Sequence, residues 1–317
     1  MRFPQIFILS AVLTSVAPAA NILWISDQLP IGSGASDNSN ATAGVFGSGA
    51  GPYADQGVIS LLINAGNTVS RFNPADGTPL SPTELTTLNT FDLLIIGRSI
   101  GSGAFDTAAE TLPWNTAITK PMLLTNTYID RSNRLGWYAS GPTQPDVVSN
   151  LLTFNNLANP VSAFIVGNVS LSGNTTVNSA TEAITFPDLA VDIRGTSLIS
   201  DPLVAGGTQI ASTNSGASTF IASWPAGTVL AGTSSGQVLS GFRMQFLVGN
   251  RESGTGPNNL LGSAGFENLT PDGEAMFLRS VTVALNNGAV VPEPSTATLL
   301  GVAAVGLLRR RRRSAAR

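Results

Sequence analysis

The chemistry open to this chain depends on carboxylate, amide and guanidinium side chains, because its 317 residues include no histidine and no cysteine. Without histidine there is no imidazole base, and without cysteine there is no thiolate nucleophile and no disulfide. A Ser-His-Asp triad, a Cys-His pair and the usual zinc sites are therefore excluded within this chain. We expect no cofactor and no metal, and we assign no catalytic residue from the sequence.

The remaining candidates lie where predicted strands end. A pair of carboxylates such as Asp27 and Asp37 could hydrolyse a glycoside if the two groups stood about 5 to 9.5 Å apart, or bind Ca²⁺ through oxygen ligands. The alternative is that these groups only cap and order loops, and that Arg251 and Glu252 form a local ion pair. The candidate residues are Asp27, Asp37, Arg98, Asn126, Asp130, Arg131, Arg251 and Glu252.

Three tryptophans, Trp114, Trp137 and Trp224, leave two roles open. Their flat rings could stack on sugars, or they could pack in the core or at its rim. Core packing is the interpretation that we prefer.

Short apolar runs alternate with helical patterns over the first part of the chain, which predicts a parallel sheet with right-handed crossovers. Functional loops in such sheets follow the carboxyl ends of the strands, where the candidates lie. Ser81 and Glu84 form a capping-box pattern, Gly66 suits a helix C-terminus, and Thr270 suits an N-cap. The predicted strands are 21–26, 68–72, 91–97, 121–125 and 241–248, and the predicted helices are 53–65, 81–88, one that ends at 115–119, and 270–285.

Residues from about 142 to 240 are rich in Thr, Ser, Gly and Asn, with short apolar runs between them. We interpret this part as an insertion of strands and loops that elaborates the sheet. The runs taken as short strands are 163–166, 190–193, 219–224 and 229–231.

The α/β pattern resembles the class I glutamine amidotransferase-like superfamily, whose sheet is flavodoxin-like. The segments that carry the resemblance are NILWIS, DQGVISLLINAGNTVSRF, LNTFDLLIIGRS, ITKPMLLTN, and FRMQFLVG with NLTPDGEAMFLRSVTVAL. The resemblance implies a parallel sheet and, in catalytic members, a nucleophilic Cys after the strand that corresponds to Lys120–Thr125. Here Asn126 stands at that place and the partner His does not exist, so glutaminase chemistry is not expected.

The total charge of the chain, −3, hides an acidic central part. Between residues 21 and 290 there are nine basic and 18 acidic residues, a balance of −9. Nucleic-acid binding needs clustered basic residues. We therefore expect no nucleic-acid partner.

The N-terminus has the pattern of a secretion signal. Arg2 precedes an apolar stretch, and Ala17 and Ala19 provide the small side chains that a signal peptidase requires. We expect cleavage after residue 20.

The C-terminus combines Pro292-Glu293-Pro294, an apolar stretch of 13 residues over 296–308, and a run of arginines. The stretch is shorter than the ~20 residues that usually span a bilayer, although flanking arginines can reach the headgroups and lengthen it. Positive charge there predicts a cytoplasmic C-terminus. The membrane-flanking residues are Arg309, Arg310, Arg311, Arg312 and Arg313.

This order resembles the PEP-CTERM sorting tail of Gram-negative bacteria, which implies cleavage by an exosortase-type membrane protease, release to the cell surface or medium after transient anchoring in the inner membrane, and an association with exopolysaccharide and biofilm production. We therefore expect a signal peptide (1–20), an α/β domain (21–290) and a sorting tail with a short membrane helix (291–317). Two functions remain open: a non-catalytic envelope or matrix protein that binds a carbohydrate or another envelope component, and a carboxylate-dependent polysaccharide hydrolase.

Overall fold

The apolar runs of the sequence form one large sheet and the helices that cover it in the computed structural model of the chain. The structure describes residues 19–27, 43–51, 53, 55–140, 146–147, 151–171, 176–178, 196–197, 199–213, 216–249, 265 and 267–290. In this part the strands are β1 (Asn21–Ile25), β2 (Phe46–Ser48), β3 (Thr68–Phe72), β4 (Leu93–Ile96), β5 (Met122–Leu124), β6 (Asp146–Val147), β7 (Leu151–Phe154), β8 (Thr176–Asn178), β9 (Thr196–Ser197), β10 (Thr208–Thr213), β11 (Ser218–Trp224) and β12 (Arg243–Phe246). The α-helices there are α1 (Gln56–Asn64), α2 (Pro82–Leu88), α3 (Ala108–Leu112), α4 (Pro160–Val166) and α5 (Pro271–Leu285).

The centre of the sheet is parallel, as the alternation of strands and helices predicts. Its order is β3-β1-β4-β5-β12, and each neighbouring pair runs parallel. The chain first moves outward from β1 to β3 and then crosses back to β4 on the other side of β1. The direction of winding therefore reverses between β1 and β4.

Antiparallel strands extend this sheet on both sides. On one side β11, β10, β7 and β8 follow β12, and on the other β2 pairs with β3. The expected mixed α/β class and the elaboration of the sheet by the later residues are thus confirmed.

Two predicted strands are wrong, and at 229–231 the structure has only an isolated β-bridge, from Val229 to Val238. Residues 163–166 lie in helix α4, which begins after Asn159, whose side chain accepts hydrogen bonds from the backbone N–H groups of Val161 and Ser162. Pro160 follows at the first helical position, where its fixed φ suits a helix. An apolar run of four residues is compatible with both a strand and a buried helix turn. Here the N-cap at Asn159 favours the helix. The run predicted at 190–193 lies outside the described residues.

The two faces of β1 enter two different cores. Ile22 and Trp24 pack on the face covered by α1, α4 and α5, whereas Leu23 and Ile25 pack on the opposite face. This division follows from the period of two in a strand. Trp114, Trp137 and Trp224 are at most 1% exposed, so none can stack on a sugar and the core-packing interpretation is correct.

The predicted capping residues are confirmed, although the helix predicted from residue 53 begins at Gln56. Ser81 and Glu84 form a reciprocal capping box at α2, and the Thr270 hydroxyl accepts from Gly273 N–H at the start of α5. Gly66 follows α1 with a φ of +93°, in the region that glycine enters without strain. Among the described residues, no helix is both long and apolar enough to cross a bilayer; the tail that carries the expected membrane helix lies outside them.

A buried arginine closes a helix end on the amino side of the sheet. Arg243 is fully buried, and its guanidinium donates to the carbonyl groups of Lys120, Phe242, Trp114 and Ile118 at 2.8–3.1 Å. Burial lowers the pKa of Arg243 to about 9. The carbonyl oxygens of the π-helical turn Pro113–Ala117 and its flanks are thereby satisfied without an acidic partner.

The carboxylate of Asp55 holds together β1, β3 and the start of α1. It forms a buried ion pair with Arg71 on β3, and it accepts from Trp24 Nε1 at 2.8 Å and from Ser26 Oγ at 2.9 Å. Trp24 and Ser26 flank the carboxyl end of β1. Their donors therefore fix the direction in which the chain leaves that strand.

We predict that Asp55→Asn lowers the free energy of unfolding by about 3–5 kcal/mol, because it leaves the guanidinium of Arg71 buried without its counter-charge. Chemical denaturation measures this change. Asp55→Asn combined with Arg71→Met should recover part of the loss, since the uncompensated charge is gone. A single substitution that costs less than about 1 kcal/mol would contradict this role.

Candidate functional site

The candidate site lies at the carboxyl ends of the parallel strands, where β1 and β4 diverge. Asp27 follows β1 and Ser99 follows β4. The backbone N–H of Asp27 donates to the Ser99 carbonyl at 3.1 Å, and the Ser99 hydroxyl donates to the Asp27 carboxylate at 3.0 Å. Ligands of open α/β sheets bind at such a reversal of strand order. The predicted candidate Asp27 therefore stands at the position that the topology favours.

The environment of Asp27 favours its neutral form. The side chain is 7% exposed, and burial raises its pKa to about 6 against the hydrogen bonds that favour the carboxylate. Repulsion from the charge of Asp55 adds a smaller increase. Gly101 is exposed, and a Cβ built on it would stand 3.8 Å from the second carboxylate oxygen of Asp27. Solvent can thus approach Asp27 past Gly101, which has no side chain to block the way.

Asn126 ends β5 and is fully buried. Its side-chain amide donates to the carbonyl of Arg98 at 3.0 Å, and its side-chain oxygen accepts from the N–H of Tyr128 at 2.8 Å. The amide nitrogen therefore ties the segment after β5 to the end of β4, and the side-chain oxygen orders the turn at Tyr128. The predicted candidate Asn126 thus holds backbone groups in place with both of its side-chain polar atoms.

Tyr128 is half-buried and lies between two guanidinium groups. The Cζ of Arg98 is 4.8 Å and the Cζ of Arg131 is 5.4 Å from the centre of its ring. Arg131 also donates through Nε to the carbonyl of Tyr128 at 2.9 Å. A few residues on, Arg134 reaches the hydroxyl of Ser102 at 3.4 Å. Positive charge thus gathers at this edge of an acidic domain.

Asp130 is fully buried, and neither carboxylate oxygen has a hydrogen-bond partner among the described residues. Burial raises its pKa well above the usual range, only partly offset by the charge of Arg131. Asp130 is therefore an enclosed acid whose burial favours the protonated form. A side chain without exposed surface cannot contact a polysaccharide, so Asp130 is not a second carboxylate for hydrolysis.

Asp55 is the acid whose charge acts on Asp27, but the carboxylate of Asp55 is already bound to Arg71, Trp24 and Ser26. In the described part of the chain, no group of three acidic side chains could hold a metal ion. Several predicted candidates lie outside the described residues: Asp37, Arg251, Glu252, Ala17, Pro292, Glu293, Pro294 and Arg309 to Arg313.

A separate cavity of about 330 Å³ lies beyond the parallel strands, between β10, β11 and the segment before them. Ser200, Asp201, Gln209 and Thr219 contribute its polar lining. Gln209 donates to the Thr219 hydroxyl at 2.7 Å, and Asp201 accepts from Ser140 at 3.0 Å. Sequence reasoning did not single out these residues.

Other residues of the site also escaped prediction. Ser99, Ser102, Tyr128 and Arg134 are common residue types in loops, and no spacing distinguishes them. Only their position could have indicated them, because Tyr128 and Arg134 lie in the segment 126–134, which follows a predicted buried strand.

Comparisons with known proteins identify one sequence motif. Residues 290–313 match the PEP-CTERM protein-sorting motif. The match includes Pro292-Glu293-Pro294 and the arginine run, and it confirms the predicted tail. This motif indicates an exported protein that is processed by an exosortase, a membrane protease.

Two solved structures align with the chain. Cytoplasmic protein STM3548 from Salmonella typhimurium is 12% identical with a TM-score of 0.42, covering 83% of this chain and 98% of that one. Cytoplasmic protein STM1381 from Salmonella typhimurium LT2 is 11% identical with a TM-score of 0.43, covering 83% and 99%. At these values neither structure supports an inference about this chain. No curated protein matches the sequence.

We predict that Asp27→Asn stabilises the protein at pH 7. The pKa of Asp27 is raised to about 6, so its contribution to stability is fully present below pH 3.8 and is lost as pH rises through about 6. Charging it at pH 7 costs about 2–3 kcal/mol, which the neutral amide avoids. Denaturation from pH 4 to 8 should show a gain for Asp27→Asn at pH 7 that vanishes near pH 4. The control is Asp76→Asn, an exposed loop residue; equal pH profiles for the two variants would contradict the prediction.

Proposed function

We propose that this protein is an exported component of the cell envelope or extracellular matrix whose α/β domain binds a carbohydrate, or another envelope component, without turning it over. The observation that carries this proposal is the use of Asn126 at the end of β5. Its side-chain nitrogen donates to the backbone of Arg98 after β4, and its side-chain oxygen accepts from the backbone of Tyr128 in its own loop. Asn126 thus stands at the position of a nucleophile but only holds backbone groups in place. Asp27, Ser99 and Tyr128 are the polar side chains that remain near it.

The strand order supports a flavodoxin-like fold of the glutamine amidotransferase-like kind. Numbered along the chain, the parallel strands lie in the order 2-1-3-4-5, since β3 precedes β1 and is followed by β4, β5 and β12. Flavodoxin-like sheets have this order and bind their ligand at the reversal. Fold alone does not assign activity, and the missing His and Cys remove the chemistry of the catalytic relatives.

The route of export follows from the two ends. Cleavage by signal peptidase next to Ala17-Pro18-Ala19 would leave residues 21–290 outside the inner membrane. The short apolar stretch and Arg309–Arg313 would hold the protein there until an exosortase cuts near Pro292-Glu293-Pro294. The processed protein would then reach the cell surface or the medium of a Gram-negative host.

We predict that Pro292→Ala with Glu293→Ala blocks this processing. Full-length protein should accumulate in the inner membrane of a native host, as immunoblots of membrane and medium fractions would show. A matched control, Pro271→Ala, removes a proline at the start of α5, away from the motif. Normal release of the double variant would refute the role of the motif.

A second function, carboxylate-dependent hydrolysis of a polysaccharide, is favoured by one observation. The pKa of Asp27, raised to about 6 by burial, suits a general acid at neutral pH. Glycosidases need a second carboxylate, and the one considered in the sequence, Asp37, lies outside the described residues. Release of reducing ends that Asp27→Asn abolishes would establish this function instead.

We predict that Gly101→Phe prevents ligand binding. Gly101 is exposed with a φ of −62°, so phenylalanine fits the backbone and would cover the approach to Asp27. The full-length protein in detergent would be screened on neutral and acidic glycans, with reducing ends measured in parallel. Wild type should retain at least one glycan and release no reducing ends.

The matched control is Gly47→Phe in the edge strand β2, where a Cβ meets nothing within 4 Å. It should bind as wild type does. Absence of binding to every glycan would contradict the proposed function, and equal binding by both phenylalanine variants would place the ligand elsewhere.

A further inference from the structure

The arginines of the described chain differ in what they contact. Three arginines are used in holding the fold: Arg71 pairs with Asp55, Arg243 donates to four carbonyls, and Arg279 donates to the carbonyls of Ile165 and Val166. By contrast, Arg131 and Arg134 form no ion pair with a carboxylate in the described part of the chain. The charge of Asp130 acts on Arg131 and raises its pKa, but burial and the charge of Arg134 lower that pKa more strongly.

Arg131 and Arg134 lie close together and partly out of solvent. Both are half-buried, and burial, followed by the positive charge of Arg134, lowers the pKa of Arg131. Arg134 donates to the Asn133 carbonyl at 2.7 Å and to the Ser102 hydroxyl at 3.4 Å, and its Nε is buried without a partner in the described structure. Two like charges in a half-desolvated setting repel each other, and an anion between them would relieve that repulsion.

The surroundings supply the rest of an anion site. Tyr128, against whose ring Arg131 lies, offers a half-buried phenol, and Ser102 offers a hydroxyl on the neighbouring strand-end loop. Arg98 contributes a third guanidinium near the same ring, with its Cζ 4.8 Å from the ring centre. Ser102 follows Gly101, which stands beside Asp27, so the anion would lie at one side of the candidate site.

We propose that Arg131 and Arg134, with Ser102 and Tyr128, bind the carboxylate of an acidic polysaccharide. This inference rests on the proposed function and names its ligand class. A planar carboxylate matches the guanidinium fork in a bidentate manner, and a sugar ring carrying it can accept further hydrogen bonds from the two hydroxyl groups. A neutral glycan would leave the paired charges without a counter-ion. The acidic balance of residues 21–290 disfavours a nucleic acid, whose binding needs a wider basic surface.

The test compares full-length protein in detergent on four probes: alginate oligosaccharides, which carry carboxylates, dextran sulfate, neutral dextran and single-stranded DNA. Alginate should bind most tightly, with affinity that falls as NaCl rises. Arg131→Gln and Arg134→Gln should each weaken alginate binding roughly tenfold or more, because each removes a charge-assisted hydrogen bond. Arg131→Lys should bind alginate more tightly than Arg131→Gln, because lysine keeps the charge. It should still bind more weakly than wild type, because lysine lacks the guanidinium fork.

The control variant is Lys120→Gln, which removes the same charge at the opposite, amino end of β5 and should bind as wild type does. Circular dichroism and the denaturation midpoint of each variant show whether it is folded. Equal affinity for alginate and dextran, or glutamine variants that bind alginate like wild type, would overturn the inference while leaving glycan binding intact. Tighter binding of dextran sulfate would assign the arginines to sulfate, and tighter binding of DNA would refute a polysaccharide ligand. No binding to any saccharide would contradict the proposed function itself.

Discussion

The buried carboxylate of Asp55 is the contact on which the geometry of the candidate site depends. It joins the side chains of Arg71 on β3, Trp24 on β1 and Ser26 just after β1. A buried ion pair is stable only when its remaining hydrogen-bonding capacity is satisfied, and Trp24 and Ser26 do so here. Because both flank the carboxyl end of β1, the pair also fixes where Asp27 leaves the sheet and how near it comes to Ser99.

Local sequence signals predicted the elements of the parallel sheet well. Its apolar runs have lengths that suit buried strands, and the helices carry caps such as Ser81–Glu84 and Thr270, whose hydrogen bonds lie within a few residues. The error at 163–166 has the same origin, since the cap at Asn159 lay outside the apolar run considered. The pairing of Asp55 with Arg71 depends on how α1 packs beside β3, which no spacing along the chain reveals.

The candidate site could be predicted only in its position. Strand ends indicated Asp27, Asn126, Asp130 and Arg131. Asp27 lies at the reversal between β1 and β4, and Asn126 lies beside it, bonded to the backbone of Arg98. Arg131 lies near the ring of Tyr128, in the loop that Asn126 begins. The sequence could not predict that the side chain of Asp130 is enclosed whereas that of Arg131, one residue on, is half-exposed. That difference arises from the turn after β5, where Asn126 bonds the backbone of Tyr128. Likewise, the convergence of Ser102 with Arg134 depends on two loops from different strands.

The central claim is that the carboxyl edge of the parallel sheet is a binding surface and not a catalytic centre. Hydrogen–deuterium exchange of the full-length protein, with and without alginate oligosaccharides, tests it most directly because it locates the ligand without any substitution. We expect slower exchange in the segments 97–103 and 126–136, with the saccharide recovered intact. Slower exchange confined to the cavity around Ser200 and Thr219, or recovery of a shortened saccharide, would contradict the claim.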